Sequence, residues 1–536
     1  MKRALSILLC LLMTAGLAAG CSDTAGTGTA ASAAPANSAG TISAGSTSSI
    51  AAPEPSAAPT EAATYKKHVV IAISQAITTG DPHLLSNVPH NTLFKLTHDR
   101  LVSLDSTDMS FHPELAESWE WTSDNELELK LRKDVKFQDG TLLTAGDVVF
   151  TFERAKGSNT VGSKMVSLDT VEAVDDYTVK MTLVSPNVDW LDTLALPMCS
   201  IISQKATEAD AEKGAWIGTG AWVIDELAAS DYVNLKRNEN YWTELPKTEE
   251  LTLRYIPEPS ARLIALQNGE VDVCNDPSNT ELSFITDDPN LTLVQFNSTN
   301  CTYFAFNTSK APGNDQNLRL ALAYCLNIDD IIAAATNGLA SKAVSNWGWA
   351  TYGYYDGFGA YEQNIDLAKE YLAKAYPDGG AKLEISATNP ERMTVAQVIQ
   401  EQARQIGLEI TINEMEAAAL TALTAFKTAG HESMVYGLGW NSCGDDARRP
   451  YYAGSNTNKA TITNQQIMDL LDSAVGEFDD ARRKELYKAV QEINHEQAYY
   501  IPLYFAIQSV GINKNLGGVI WEAHLSHDFT YAYVTE

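Results

Sequence analysis

The chain has 536 residues, of which 45% are hydrophobic, 9% aromatic and 20% charged, and its formal charge is -30 with a pI near 4.6. This acidity argues against binding to nucleic acid or to an anionic membrane surface. The length exceeds what one hydrophobic core supports, so it predicts two or three sub-domains.

The N-terminus has the three parts of an export signal. Lys2 and Arg3 provide a positive start, residues 4–13 are mostly aliphatic, and small residues lead to Cys21. The apolar run is too short for a stable membrane span, so we interpret residues 1–20 as a removable signal peptide. The Gly-Cys junction resembles a bacterial lipobox, in which Cys21 is acylated and becomes the mature N-terminus. The alternative is an ordinary signal peptide that happens to be followed by Cys21.

Residues 21–64 are dominated by Ala, Ser, Thr, Gly and Pro. Such a segment has too few large apolar side chains to offset the entropy of ordering. It therefore predicts a flexible tether with a span on the order of 35 Å. Signal, Cys21 and tether together predict a protein that is lipid-anchored on the extracytoplasmic face of the cell membrane.

Regular elements alternate along the rest of the chain. Residues 68–73 and 126–131 alternate in the manner of strands. Residues 392–406 place apolar side chains on one helical face and end before a glycine, and residues 408–412 then alternate as a strand. Residues 478–496 repeat the helical pattern, with two aspartates near its start. These patterns predict a mixed α/β protein with several sheets.

Seven cysteines occur in the chain, and five remain after the signal peptide and the acylation site are set aside. They are far apart and contain no C-x-x-C pair, so a zinc site or redox motif is unsupported. At most two disulfides could form, and we predict buried free thiols. The five are Cys199, Cys274, Cys301, Cys325 and Cys443.

The most specific part of the chain is a series of sequence blocks. They read HPELAESW at 112–119, LRKDVKF at 131–137, DG at 139–140, AGDVVF at 145–150, GTGAW at 218–222 and ALQNGEVD at 265–272. With these blocks the chain resembles the peptide/nickel class of extracytoplasmic solute-binding proteins, which includes the oligopeptide- and dipeptide-binding proteins of ABC importers. The resemblance extends over nearly all of residues 65–536. Its blocks are mostly scaffold, so they identify the fold without locating the ligand.

The resemblance implies an α/β, two-lobed, periplasmic-binding-protein-like clamp of type II with an extra sub-domain. The solute would lie in the cleft and close the lobes by hinge motion. A membrane permease would recognise the closed form, and the protein would act as a monomer. The implied limits are 65–112, 216–300 and 501–536 for lobe 1, 113–215 for the extra sub-domain of lobe 1, and 301–500 for lobe 2.

The most informative candidate for the cleft is the segment GLGWNSCGDD at 437–446. In the peptide-binding relatives a Gly-Trp-x-x-Asp motif supplies a carboxylate for the α-ammonium group of the peptide, because an unpaired buried charge is costly. Here the third residue after Trp440 is Cys443. Either a shift of two residues brings Asp445 into this role, with Asn441 beside it, or the site does not bind an ammonium group.

Other side chains complete the predicted ligand site. Arg448 could hold a ligand carboxylate through two hydrogen bonds or pair with neighbouring acids. Trp347 and Trp349 lie in an aromatic, glycine-interrupted stretch that suits either a pocket wall or interior packing. Tyr303, in the predicted hinge region, is the last predicted ligand contact.

The sequence carries no motif for catalysis, for metal binding or for a cofactor. His83, His90, His98 and His112 match no compact metal-ligand spacing, and no Gly-x-Ser-x-Gly elbow or zinc-protease helix occurs. We therefore predict a binding protein for peptides or a similar small organic solute, and not an enzyme. The alternatives are a binding protein for an oligosaccharide, an opine or a metal chelate, a ligand sensor, and a cell-surface hydrolase.

Overall fold

The structure is a computed structural model that describes residues 64–105, 109–439 and 448–536. The predictions for the signal peptide, Cys21 and residues 21–63 of the tether lie outside the described residues. So do those for Trp440, Asn441 and Asp445.

Side-chain caps set where many of the helices begin. Asn389 accepts a hydrogen bond from the backbone amide of Arg392 at 3.0 Å, and Pro390 follows as the first helical residue. The helix therefore begins two residues before the predicted 392, because capping rather than apolar spacing determines its start. The helices are α1 Val88–Thr97, α2 Ala145–Lys156, α3 Trp190–Leu194, α4 Gln204–Ala209, α5 Pro259–Gln267, α6 Ser283–Thr286, α7 Gln316–Cys325, α8 Ile328–Thr336, α9 Ile365–Ala375, α10 Pro390–Arg404, α11 Ala417–Leu423, α12 Gln465–Val475 and α13 Asp480–Gln497.

The strands confirm the predicted strand at 68–73 and the one at 126–131, and the strand predicted at 408–412 occurs at Glu409–Glu414. They are β1 His68–Ile73, β2 Val102–Leu104, β3 Phe111–Pro113, β4 Ala116–Ser123, β5 Glu126–Leu131, β6 Leu168–Asp175, β7 Thr178–Leu183, β8 Trp222–Ala228, β9 Tyr232–Arg237, β10 Glu250–Tyr255, β11 Val273–Asn275, β12 Leu291–Phe306, β13 Ala340–Lys342, β14 Lys382–Ala387, β15 Glu409–Glu414, β16 Ser433–Leu438, β17 Tyr500–Asn513, β18 Leu516–Gly517 and β19 Tyr533–Val534.

One large sheet runs in the order β15-β14-β16-β12-β17-β11-β1-β10-β9-β8, with β13 beside β17. The long strands β12 and β17 pair with each other along most of their length and connect the two halves of this sheet. Their register shifts between Asn297 and Cys301. Beyond the shift, Cys301 to Phe306 also pair with β16, so we call β12 and β17 the crossover strands.

A separate four-stranded sheet, in the order β4-β5-β7-β6, has its own hydrophobic core. Leu129, Met181 and Trp190 are buried in that core. Strand β5 alternates buried and exposed side chains, since only one face of this sheet is covered. These residues form a body with its own core, which contacts the large sheet where Gln138 donates to the carbonyl of Trp222 in β8 at 2.9 Å.

Two cores lie on the β15–β12 half of the large sheet. Phe304 and Val435 pack with α7, α9 and α10 on one face, whereas Tyr303 and Met434 pack with α12 and α13 on the other. Neighbouring residues of a strand point to opposite faces of the sheet, and therefore Tyr303 and Phe304 lie in different cores.

Cys199, Cys274, Cys301 and Cys325 are buried free thiols, as predicted, and Cys443 lies outside the described residues. Within the described part of the chain, no helix is long and apolar enough to cross a bilayer.

Candidate ligand-binding cleft

The carboxyl ends of parallel strands from both halves of the large sheet lie beside the crossover strands. On one side β1 and β11 end at Ile73 and Asn275. On the other side β14 and β16 are parallel, and Leu438 at the end of β16 pairs with Cys301 of β12. Ligands of open α/β sheets bind outside the carboxyl ends of such strands. The topology therefore places the candidate site at the crossover.

An open cavity of about 740 Å³, which we call the cleft cavity, reaches the crossover strand β12 at Thr299. This volume includes solvent at the mouth. Its walls come from α1, from the region following α3, from the crossover strand β12 and from the C-terminal segment 522–526. Lining residues include Asn91, Lys95, Asp192, Leu196, Thr299, Ala350, Glu522, His524 and Ser526.

Three ionisable side chains form a compact group on the wall of the cleft cavity. Lys95 donates a hydrogen bond to the Ser526 carbonyl at 2.7 Å and forms an ion pair with Glu522. Glu522 also lies 2.5 Å from Nε2 of His524. Burial would raise the pKa of Glu522, but Lys95 and His524 outweigh it and hold this pKa well below its usual range. This wall therefore carries a permanently ionised acid between two basic groups.

A second cavity of about 680 Å³, the strand-end cavity, opens at the ends of β1 and β11. It lies against the other side of α1, which contributes Val88 and Thr92. The Asp276 carboxyl lines it, and the uncharged polar groups beside this carboxyl suit hydrogen bonds to amides or hydroxyls. They include Ser74, Gln75, Asn275 and Gln508.

The two predicted tryptophans occupy different environments. The side chain of Trp349 is 42% exposed, and its indole nitrogen donates to the carbonyl of Ser298 in β12 at 2.9 Å. This places an exposed ring beside the crossover, next to Ala350 of the cleft cavity. Trp347 is fully buried and packs edge-on against Tyr487 at 5.2 Å between ring centroids. Its present surroundings are interior packing, and a ligand contact for it stays a prediction.

Tyr303 is also buried, with its ring 5.0 Å from that of Tyr500. Arg448 is partly buried, pairs with Asp472 at 2.9 Å and stacks 4.8 Å from the Tyr452 ring centroid. It lines a third cavity with Asp189 and Asp192, and this cavity shares Asp192 and Leu196 with the cleft cavity. The structure thus does not bring Trp347, Tyr303 and Arg448 together around the cleft cavity, and their ligand roles stay predictions.

The sequence analysis did not identify Lys95, Glu522 and His524 as a group. Lys95 and Glu522 are separated by 427 positions, and neither belongs to a recognisable motif. Only the pairing of distant strands brings them together, so no local signal could have found them.

Residues that follow the four-stranded sheet in the chain contact α13. Asp189 forms a buried ion pair with Arg483, and the Tyr487 hydroxyl donates to the same carboxylate at 3.0 Å. The Arg483 guanidinium lies 4.1 Å from the Tyr352 ring centroid. Nearby, the amide of Val188 donates to a carbonyl of α12 at 2.9 Å. We call these residues the cross-lobe contact.

Buried histidines make the stability of the protein depend on pH, and burial also lowers the pKa of His90. Burial lowers the pKa of His83, His98 and His431 to about 4 and that of His527 to about 3. Unfolded histidines titrate near pH 6.5, so below that pH the unfolded chain binds more protons and stability is lost as the pH falls toward 4. Burial raises the pKa of Glu114 to about 7. For this one group the folded chain binds the proton more readily than the unfolded chain, so its contribution to stability increases as the pH falls.

We therefore expect the free energy of unfolding to fall by several kcal/mol between about pH 6.5 and 4.5. Each buried histidine contributes on the order of 1.4 kcal/mol per pH unit. Urea unfolding at several pH values measures it. His98→Gln should flatten the slope, whereas His112→Gln, on the exposed surface, serves as the control. An equal slope in both variants would contradict the assignment to His98.

Within the described ranges, no group of three or more His, Cys, Asp and Glu side chains could hold a metal ion. All four of the clustered histidines are instead held by hydrogen bonds, His90 with Asn87 and the backbone amide of Thr78, and His112 with the Ser110 hydroxyl. His98 lies 3.1 Å from the carbonyl of Ala215, and His83 lies 2.7 Å from Arg154. His112 is exposed.

Comparisons with known proteins agree with this architecture. Residues 110–461 match the bacterial extracellular solute-binding proteins, family 5, middle region. The chain is 28% identical over 478 residues to heme-binding protein A of Haemophilus influenzae, covering 82% of this chain and 86% of that protein. It is 28% identical over 470 residues to the glutathione-binding protein GsiB of Escherichia coli, covering 84% and 91%. The structure of DppA from Helicobacter pylori in complex with the peptide STSA has a TM-score of 0.71 and 25% identity, covering 88% and 99%.

The predicted fold class, a two-lobed clamp of type II with an extra sub-domain, is confirmed by these relatives and by the sheet connected through β12 and β17. The predicted family and class of function are confirmed as well. The chain belongs to family 5 of the bacterial extracellular solute-binding proteins, the solute-binding subunits of ABC importers.

Proposed function

We propose that this protein captures peptides, or a small organic solute of similar chemistry, and delivers them to the membrane permease of its importer. The observation that carries the proposal is the convergence of strand carboxyl ends on the crossover strands, beside a cavity of about 740 Å³ with charged and polar walls. Two of the relatives, the glutathione-binding protein and the DppA complex, carry peptide ligands in their descriptions. Because one relative is a heme-binding protein, a non-peptide solute is the second candidate.

In this proposal, lobe 1 comprises 65–112, 216–300 and 501–536, its extra sub-domain 113–215, and lobe 2 301–500. Acylated Cys21 anchors the protein to the outer face of the cell membrane, and the tether lets the clamp reach the permease as a monomer. The protein binds without catalysis, so purified protein should leave its peptides intact. Trp440, Asn441 and Asp445 follow β16 in the sequence and contact the solute in this proposal.

Native mass spectrometry of the full-length protein, as purified from its host, tests the proposal. Peptides released from the protein would support it. A carried heme, metal chelate or oligosaccharide, with no peptide bound from an added mixture, would contradict it.

Trp440→Ala is expected to weaken binding of the released solute by about 10-fold or more, because a large aromatic side chain in a cleft contributes much of the binding energy. Isothermal titration measures the affinity. Phe284→Ala, whose side chain is 56% exposed on α6, is the control and should bind normally. Equal affinities of the two variants would remove Trp440 from the site.

A further inference from the structure

An ionised acid lies on the wall of the strand-end cavity. The residues that line this cavity in the described part of the chain include two titratable groups, Asp276 and His527. Burial lowers the pKa of His527 to about 3, so this imidazole is neutral near neutral pH. The rest of the wall is apolar or carries hydroxyl and amide groups. A ligand in this cavity therefore meets a negative charge at Asp276.

Within the described ranges, the Asp276 carboxylate forms no ion pair. It is exposed, so a ligand can reach it, and its Oδ2 accepts a hydrogen bond from the Ser74 hydroxyl at 3.5 Å, which is long for such a bond. Loss of water in the cavity raises the pKa of this carboxyl, whereas Arg262 and Ser74 lower it. A carboxylate that has lost water without gaining a cation is unfavourable, and a cationic ligand would stabilise it.

The nearby cation of Arg262 has other partners. Its guanidinium donates to four backbone carbonyls, and one of these is the carbonyl of Asp276 itself at 2.8 Å. Because carbonyl oxygens occupy these N–H groups, Arg262 holds the backbone of residue 276 instead of its carboxylate. The side chain of Asp276 is left for a group that enters the cavity.

The backbone holds this carboxylate in a fixed position. Asp276 has a φ of +50°, a left-handed conformation that is uncommon outside glycine, and Pro277 favours an extended residue before it. The Arg262 guanidinium binds the carbonyls of Asn275 and Asp276 at 2.8 Å and stabilises this conformation. Strained backbone that its surroundings hold in place is common at ligand sites. Such a carboxylate has little freedom to lose when a ligand binds.

The group that fits this wall is a cation. Ammonium and guanidinium groups donate charge-assisted hydrogen bonds to a carboxylate, and neighbouring hydroxyl and amide oxygens can accept from their other N–H groups. Ser74, Gln75 and Gln508 carry such oxygens on the same wall. We propose that the strand-end cavity binds a positively charged group of the peptide, its N-terminal ammonium or a basic side chain, through Asp276. This inference rests on the proposed peptide-binding function.

The test compares peptides that differ by one positive charge. The first probe is a mixture of tripeptides with one lysine and otherwise uncharged side chains, and in the second norleucine replaces the lysine. The N-acetylated forms of both mixtures are the third and fourth probes. Native mass spectrometry of the full-length protein identifies the peptides that bind, and isothermal titration measures their affinity.

The peptides that carry the recognised charge should bind at least about 10-fold more tightly than their matched neutral peptides, since one charge-assisted contact is gained. A preference that acetylation removes assigns the N-terminal ammonium to the cavity. A preference that the exchange of lysine removes assigns the basic side chain. Both results support the inference, provided that the preference depends on Asp276.

Two matched variants establish this dependence. Asp276→Asn removes the charge and keeps the shape, and asparagine also tolerates the left-handed φ, so the variant should fold and lose the preference. Asp287→Asn makes the same change at an exposed acid that follows α6 and does not line the strand-end cavity, and it should keep the preference. Urea unfolding should give similar stabilities for both variants and the wild type.

Each other outcome contradicts a defined part. If peptides bind but the charged and neutral peptides bind equally, or if Asp276→Asn keeps the preference, the inference fails while the peptide function stands. The inference also fails if both aspartate variants lose the preference equally, because the overall negative charge would then explain it. If no mixture binds the wild-type protein, the peptide function and the inference fail together.

Discussion

Asp189→Ala is expected to open the clamp. The Asp189 and Arg483 side chains are 4% and 11% exposed, so removing the carboxylate leaves a buried cation, which costs about 3–5 kcal/mol. The cross-lobe contact joins two separately packed cores. Separating the bodies hydrates Arg483 without unfolding either core, and we therefore expect the penalty to appear as a loss of the closed form.

Small-angle X-ray scattering of the unliganded protein should then show a larger radius of gyration. If the closed form loses about 3 kcal/mol relative to the open form, ligand affinity should fall by about 100-fold, because the apparent affinity is proportional to the closed population. Replacing both partners, in Asp189→Leu with Arg483→Met, should restore much of the affinity, since no charge is left buried. Glu370→Ala breaks an exposed ion pair with Lys374 and serves as the control. Unchanged scattering and affinity in Asp189→Ala would contradict a role of this contact in closure.

Arg262→Met should destabilise the whole lobe that contains β1. Arg262 is 2% exposed, and its guanidinium donates to the carbonyls of Ile256, Pro257, Asn275 and Asp276 at 2.7–2.8 Å. These carbonyls belong to the loop that follows β10, to the last residue of β11 and to the residue after it. Methionine fills the volume but leaves several buried acceptors unpaired, at about 1–3 kcal/mol each, so we expect a loss of at least about 4 kcal/mol.

Urea unfolding measures this loss, and binding should weaken as well, because Asn275 and Asp276 line the strand-end cavity. Arg254→Met is the matched control. Arg254 lies in β10, its side chain is 41% exposed, and it pairs only with Glu270, so its loss should cost less than about 1 kcal/mol. Similar losses of unfolding free energy in the two variants would show that the hydrogen bonds of the Arg262 guanidinium do not stabilise these segments.

Local elements and fold class could be predicted from the sequence because their signals are local or ordered along the chain. The strand at 68–73 follows from alternation, and the helix predicted at 478–496 occurs as Asp480–Gln497. The blocks from 112 to 272 indicated the family, and the family match at 110–461 confirmed it. Element ends were predicted less well, since caps such as Asn389 act through single hydrogen bonds.

Which residues line the candidate cavities could be decided only from the tertiary structure. The sequence favoured Trp347 because it is aromatic and near glycines, but the same properties suit interior packing, and the ring is fully buried. Lys95 and Glu522 meet although they are 427 positions apart. Charge pairing across such distances leaves no periodic trace in the sequence.

Periodicity thus predicted a mixed α/β protein, because it depends on neighbouring residues and on hydrophobic burial, and the resemblance carried by the sequence blocks implied the clamp. The crossover of β12 and β17 decided which side chains face one another. A cleft is formed by the ends of strands that are distant in sequence, and the pairing of those strands is a property of the folded chain alone.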